Sequence, residues 1–204
     1  DTVNLGPTVM LGKTGGSNSV TVTAIGGNSS GLNESNNMSA EATGLFNNAT
    51  ATLHGTTTFT IQATGGMRFE AGNTSGAATA KAYGIYNQGA GLTTDDLMFE
   101  KVYAMGRMGA DTSTEAYGIY ITDNNATITL GNLTFTDIQA VGGSSSTSGS
   151  ANATVATIWN ESATLRAGNI IAMASAQAGT GADGNAEAIG IYNNQGSFVA
   201  RSAK

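Results

Sequence analysis

Apolar and polar positions alternate along this chain in three short patterns that return in a fixed order. The first reads Thr2-Val3-Asn4-Leu5, then Thr50-Ala51-Thr52-Leu53, Thr127-Ile128-Thr129-Leu130 and Ser162-Ala163-Thr164-Leu165, with a weaker copy ending at Leu92. A period of two, carried by branched Thr, Val and Ile, predicts half-buried β-strands. The second pattern reads Val20-Thr21-Val22-Thr23-Ala24, Phe59-Thr60-Ile61-Gln62-Ala63, Val102-Tyr103-Ala104 and Ile138-Gln139-Ala140, with a degenerate copy around Ala172 to Ala178. Glycines close it at Gly26-Gly27, Gly65-Gly66, Gly106 and Gly142-Gly143, where turns are expected to need positive φ. The third pattern is Ala42-Thr43-Gly44-Leu45-Phe46, Ala82-Tyr83-Gly84-Ile85-Tyr86, Ala116-Tyr117-Gly118-Ile119-Tyr120, Val155-Ala156-Thr157-Ile158-Trp159 and Ala188-Ile189-Gly190-Ile191-Tyr192. These copies lie 33 to 40 residues apart, a spacing typical of solenoids and arrays.

Between the second and third patterns the chain varies in length and is rich in Gly, Ser, Asn and Thr: Asn28 to Ala40, Met67 to Ala80, Arg107 to Ser113 and Ser144 to Ala153. These stretches read as loops leaving one corner. What remains of each repeat is a coil of three short strands. One such coil cannot bury its apolar residues alone; stacking coils about 4.8 Å apart pairs every strand with its copies above and below. The expected architecture is all-β: a right-handed parallel β-helix (β-solenoid) of about five three-stranded coils, in one domain spanning 1–204, with the hand set by the general preference of parallel crossovers. Equivalent residues then form columns. Leu45, Ile85, Ile119, Ile158 and Ile191 make one, Phe46, Tyr86, Tyr120, Trp159 and Tyr192 a second, and Asn47, Asn87, Asn160 and Asn193 a third that Ile121 interrupts. The Ile column is expected to face the core, although strict alternation also permits Ala82, Gly84 and Tyr86 to face inward.

The succession of Thr-x-x-Leu-Gly, Ile-x-Ala-x-Gly-Gly, a polar insert and Ala-Tyr-Gly-Ile-Tyr-Asn resembles the passenger repeats of bacterial autotransporter adhesins over nearly the whole chain. That resemblance implies a right-handed parallel β-helix carried to the cell surface.

Composition narrows the function. Charged residues are only 11% while hydrophobic residues reach 40%, more apolar content than a disordered chain carries. The net charge of −6 offers no basic patch for phosphates, so nucleic acid is not an expected partner. No run of about 18 apolar residues occurs, so membrane insertion through a helix is not expected. Cysteine is absent, which removes disulfides, Cys-based zinc sites and thiol nucleophiles. Abundant Thr, Ser and Asn with little charge favour an extracellular or cell-surface location. The chain opens at Asp1 rather than Met, as expected of a processed or excerpted sequence.

No catalytic, cofactor-binding or metal-ligating constellation is expected. His54, the one histidine, reads as a turn residue with no acidic neighbour in sequence. Gly12-Lys13-Thr14 lacks the phosphate-loop glycine five positions earlier, where Pro7 stands. Asp95, Asp96 and Glu100, the densest acidic group, and Gly179 to Asn185 read as solvated turns rather than calcium sites. Glu41, Lys81, Glu115 and Glu187 share one repeat position, a ladder of charge rather than a glycosidase pair. Asn-x-Ser/Thr sequons make Asn28, Asn33, Asn37, Asn73 and Asn152 candidate glycosylation sites. Bare strand patterns near both termini make Val3, Leu5, Phe198 and Ala200 candidate self-association positions.

The function expected from these features is non-enzymatic: a surface solenoid with an adhesive or structural role, meeting a host surface or glycan at its loop corner. The alternatives are a subunit that stacks end to end into an extracellular filament or sheath, an ice binder displaying Thr50, Thr52, Thr127, Thr129, Ser162 and Thr164 across a gap at Gly89 and Gly91, and, least favoured, a polysaccharide-degrading β-helix enzyme.

Overall fold

The structure, a computed structural model, describes residues 8–27, 38–66, 76–123, 125–145 and 149–204, with side chains from 11 onward. Among these residues every regular element is a strand, and every strand pair is parallel. The coils stack as a β-solenoid. Its first sheet contains Thr8–Leu11, Thr50–Leu53, Gly91–Thr94, Thr127–Leu130, the start of Thr164–Gln177, and Ser197–Ala203. The second contains Ser17–Ile25, Thr56–Thr64, Leu97–Met105, Leu133–Val141 and the end of Thr164–Gln177, a strand that joins both into one ten-stranded sheet. The third has five strands: Met38–Asn47, Ala78–Asn87, Thr112–Ile121, Ala151–Asn160 and Ala186–Asn193. About four turns separate the first of these five from the last, slightly fewer coils than expected.

The third-sheet strands are ten residues long in four of the five copies, twice the length of the apolar motif. Met38, Ala78, Thr112 and Ala151 begin strands rather than loops, so the inserts are shorter than their composition suggests. Their inward residues are small, as at Ala40, Ala78, Ala80, Ala151 and Ala153, all buried. Ser144–Ser145 also leaves the loop to pair with Met108–Gly109.

The parity question resolves into both answers. Ala82 and Ile85 are each fully buried, as are Ala116 and Ile119. Inward positions three apart require the alternation to slip once, and it slips at the intervening glycine, where the ladder skips a pair between Tyr83↔Tyr117 and Ile85↔Ile119. A Cβ on Gly84 would lie 2.5 Å from Phe99 Cε1. That ring belongs to a core column of Phe59, Phe99 and Phe135, with centroids 5.0 and 4.7 Å apart and planes nearly parallel. Val20 and Ala172 continue it. The glycine column complements these rings: Gly44, Gly84 and Gly118 face Phe59, Phe99 and Phe135. In the next coil their equivalents are Thr157 and Ala172, so a side chain returns where the ring is gone.

The first sheet corrects two registers. Thr50↔Gly91 and Thr127↔Thr164 are partners, which shifts the copies at Leu92 and Leu165 by two residues from the alignment on their leucines. A shift of two preserves which side chains face the core, so alternation cannot distinguish the registers, whereas the unequal turns before each strand do. Thr8–Leu11 takes the place opposite Thr50–Leu53; Thr2-Val3-Asn4-Leu5 lies outside the described residues.

Candidate functional site

Polar side chains in this molecule mostly face the coil above or below them. Asn47 Nδ2 donates to Asn87 Oδ1 at 2.6 Å, and Asn160 Nδ2 to Asn193 Oδ1 at 2.7 Å. Asn47, Asn87 and Asn160 are fully buried, and Asn87 and Asn160 also donate to turn carbonyls at Gly89 and Ala163. Ile121 breaks the column as its sequence position implies. The acidic residues behave alike. Asp95 Oδ2 accepts the Gly55 N–H at 2.7 Å, Asp96 Oδ1 accepts the Asn132 N–H at 2.8 Å, and Asp111 Oδ1 accepts from Ser150. Asn132 and Asn169 extend this chain to Asn169 N–H and Ser202. Among the described residues no three His, Asp or Glu side chains gather closely enough to hold a metal. His54 gains a neighbour its sequence does not show: Asp95, one coil on, stands 3.9 Å from Nδ1.

The outer face of the third sheet carries the aromatic column. Because the alternation slips at the glycines, positions three apart share this face, and Tyr83 stacks on both Tyr86 (5.1 Å) and Tyr117 (5.5 Å). Trp159 leans toward Tyr117 over the small Ala156 and stacks on Tyr192 at 4.0 Å. Glu41, Lys81, Glu115, Thr154 and Glu187 run alongside in register, with Lys81 Nζ 3.0 Å from Glu115. Burial, and then the Glu115 carboxylate, push the Tyr83 and Tyr117 hydroxyls far above the ordinary tyrosine range; burial and Glu161 raise Tyr120. The rings cover one another's faces, so this surface is a brace rather than an open platform.

The threonine face is interrupted along the axis. Its outward rows are Thr50, Gly91, Thr127, Thr164 and Thr52, Thr93, Thr129, Arg166. Ser162 falls outside the strand, Thr93 fills part of the expected gap, and Arg166 ends the second row.

The corner between the second and third sheets is built from glycine. Gly27, Gly66, Arg107, Gly143 and Gly179 follow one another along the axis. A Cβ on Gly66 would strike the Gly27 carbonyl, one on Gly143 the Arg107 carbonyl, and one on Gly179 the Gly143 carbonyl. Close approach therefore selects Gly66, Gly143 and Gly179, whereas a Cβ on Gly27 would meet nothing within 4 Å; positive φ is not the cause, since among described glycines it occurs only at Gly12, Gly15, Gly55 and Gly76. Arg107 is the one side chain in the column. Beside it an open groove of about 360 Å³ runs across three coils, bounded by Met105, Met108, Ser144, Gln177 and Thr180.

No protein-family model, curated protein or solved structure matches the chain. The corner and its groove therefore rest on their own geometry. Of the sequon residues, Asn152 lies in a third-sheet strand beside Ser113, half-buried; Asn28, Asn33, Asn37 and Asn73 lie outside the described residues. Phe198 and Ala200 belong to the last first-sheet strand, each half-buried against the core; Val3 and Leu5 lie outside the described residues. Sequence reading missed Arg107 as distinctive. The signal was present, since Gly106 is followed by Arg where the other copies carry glycine.

Proposed function

We propose that this chain is a non-enzymatic, surface-displayed solenoid of the autotransporter-passenger type, adhesive in role, and that it meets its partner at the glycine corner. One observation supports this above others. The three sheets spend their polar and aromatic side chains on neighbouring coils, whereas the insert-bearing corner opens a groove to solvent. A scaffold that satisfies itself leaves recognition to the segments it holds out. The proposed location is extracellular.

The test uses beads coated with the purified chain, scored for retention on glycan-bearing and epithelial surfaces. Replacing residues 146–148 and 67–75 with shorter Gly-Ser links should abolish retention while leaving the β-rich circular dichroism spectrum intact, because shortening a loop changes closure entropy only slightly. Full retention by the shortened chain would end the corner reading.

A second reading, axial assembly, draws support from half-buried inward residues in both outermost coils: Val20, Val22 and Ala24 at one, Ala174, Ile191 and Phe198 at the other. Such faces accept further coils, whether of the same polypeptide or of another copy. Sedimentation and electron microscopy distinguish this reading, in which filaments form and Val3→Lys with Leu5→Lys disperses them.

A further inference from the structure

We propose that the corner groove beside Arg107 binds a carboxylate-bearing sugar residue, such as a uronic acid within a glycan. The inference rests on the adhesive reading for its biological setting, but the binding event is independent of it. Arg107 occupies a column position that is glycine in the four other coils, Gly27, Gly66, Gly143 and Gly179. Close carbonyl contacts select glycine at Gly66, Gly143 and Gly179, so Arg107 is the level at which a side chain stands in the column, outside the apolar core. Its neighbours on the column carry no side chains, which leaves the space beside it open.

The chemistry of the walls fits one ligand class. Among the described residues no carboxylate lies within ion-pairing distance of Arg107, since the ion pairs there are Lys81–Glu115 and His54–Asp95. None of the groove's lining residues is acidic. The nearby Asp111 is committed to Ser150. A guanidinium in this position takes a carboxylate in a two-pronged contact. Ser144 and Thr180 hydroxyls, 3.1 Å apart, and the exposed Gln177 amide supply donors and acceptors for sugar hydroxyls. Half-buried Met105 and exposed Met108 add adaptable apolar surface for the ring's C–H face. A single positive charge on a chain of net charge −6 suits a monoanion better than a phosphate or other dianion, which the remaining field repels.

The test titrates the isotopically labelled chain with glucuronic acid and follows backbone amide shifts. The expected result is saturable shifts at Gly106 to Met108, Gly142 to Ser144 and Gln177 to Thr180, with a dissociation constant on the order of millimolar for one sugar. Glucose and the methyl ester of glucuronic acid should bind at least about tenfold more weakly, and Arg107→Gln should lose a similar factor. Arg107→Lys should fall between, keeping charge but not the fork. An unchanged amide spectrum elsewhere shows that each variant is folded. Equal binding of glucose, tighter binding of glucose 6-phosphate, or undiminished binding by Arg107→Gln would each overturn the proposal. Bead retention that depends on the corner without any glucuronate shifts would spare the adhesive reading and sink this one. Shifts without bead retention would do the reverse.

Discussion

Truncating Phe99 to alanine should be the most damaging single change in the second sheet. The ring is fully buried and lies between Phe59 at 5.0 Å and Phe135 at 4.7 Å, nearly parallel to both. Removing a buried phenylalanine costs about 3–5 kcal/mol through lost transfer energy and the cavity left behind. Each stacked pair adds roughly 0.5–1.5 kcal/mol beyond burial. Phe99→Ala loses two pairs and Phe59→Ala one. Phe59 also borders an opening of about 220 Å³ with Leu11, Val20 and Leu53, so its truncation widens existing space rather than creating a sealed void. The expected gap between the two variants is about 1 kcal/mol. Phe99→Leu, which keeps apolar bulk but no ring, should cost about 1–2 kcal/mol. Urea unfolding followed by far-ultraviolet circular dichroism and by the fluorescence of Trp159, the one tryptophan, measures these losses. Coincident transitions are required, because repeat arrays can unfold in parts. A Phe99→Ala loss no larger than that of Phe59→Ala would refute the idea that the rings act as one column.

Four further outcomes follow from the same stacking. Gly84→Ala places a methyl 2.5 Å from both Phe99 Cε1 and the Gly118 carbonyl oxygen and should cost about 1–3 kcal/mol in urea unfolding. Gly190→Ala, with nothing within 4 Å, should stay within about 0.5 kcal/mol of the parent chain. Asn87→Ala takes the Oδ1 acceptor from Asn47, whose amide keeps the Ala49 and Gly91 carbonyls, and removes the buried donor to the Gly89 carbonyl; it should cost about 1–3 kcal/mol, with a lower melting temperature. In alkaline titration, Tyr83, Tyr117 and Tyr120 should hold their protons beyond the range of a free tyrosine, read by tyrosinate absorbance. Their folded values lie above the unfolded one, so the folded chain holds these protons longer. That contribution is whole below about pH 10 and is lost progressively above it. Ionisation of these three in the range of a free tyrosine, without unfolding, would contradict their burial.

The sequence made the coil legible wherever large apolar residues recur. Ile85, Ile119 and Ile158 announce the core column, and the Asn and aromatic columns follow from the same spacing. Where the core is lined with alanine the contrast vanishes: Ala78 to Ala80 and Ala151 to Ala153 have the composition of loops and the burial of strands. The Phe column was concealed by one extra residue. Phe59 stands two positions before Ile61, but Phe99 stands three before Val102, and the ladder absorbs the difference as an irregularity. First-sheet registers escaped because a slip of two leaves the alternation unchanged. The groove was the least visible feature, since a lone arginine after glycine acquires meaning only when its column neighbours are known.

The buried asparagines also give the stack a direction. Asn47 donates forward to Asn87, and Asn160 forward to Asn193, each amide pointing its N–H toward the higher-numbered coil. Backbone ladders between parallel strands alternate donors and acceptors on either edge and carry little such bias. The side-chain file does carry it, like arrows laid nose to tail. One end of any such pile offers amide hydrogens and the other offers oxygens. A solenoid of this kind can therefore be told up from down by chemistry as well as by chain order. Two piles meeting top to top would set donor against donor, whereas top to bottom each donor meets an acceptor.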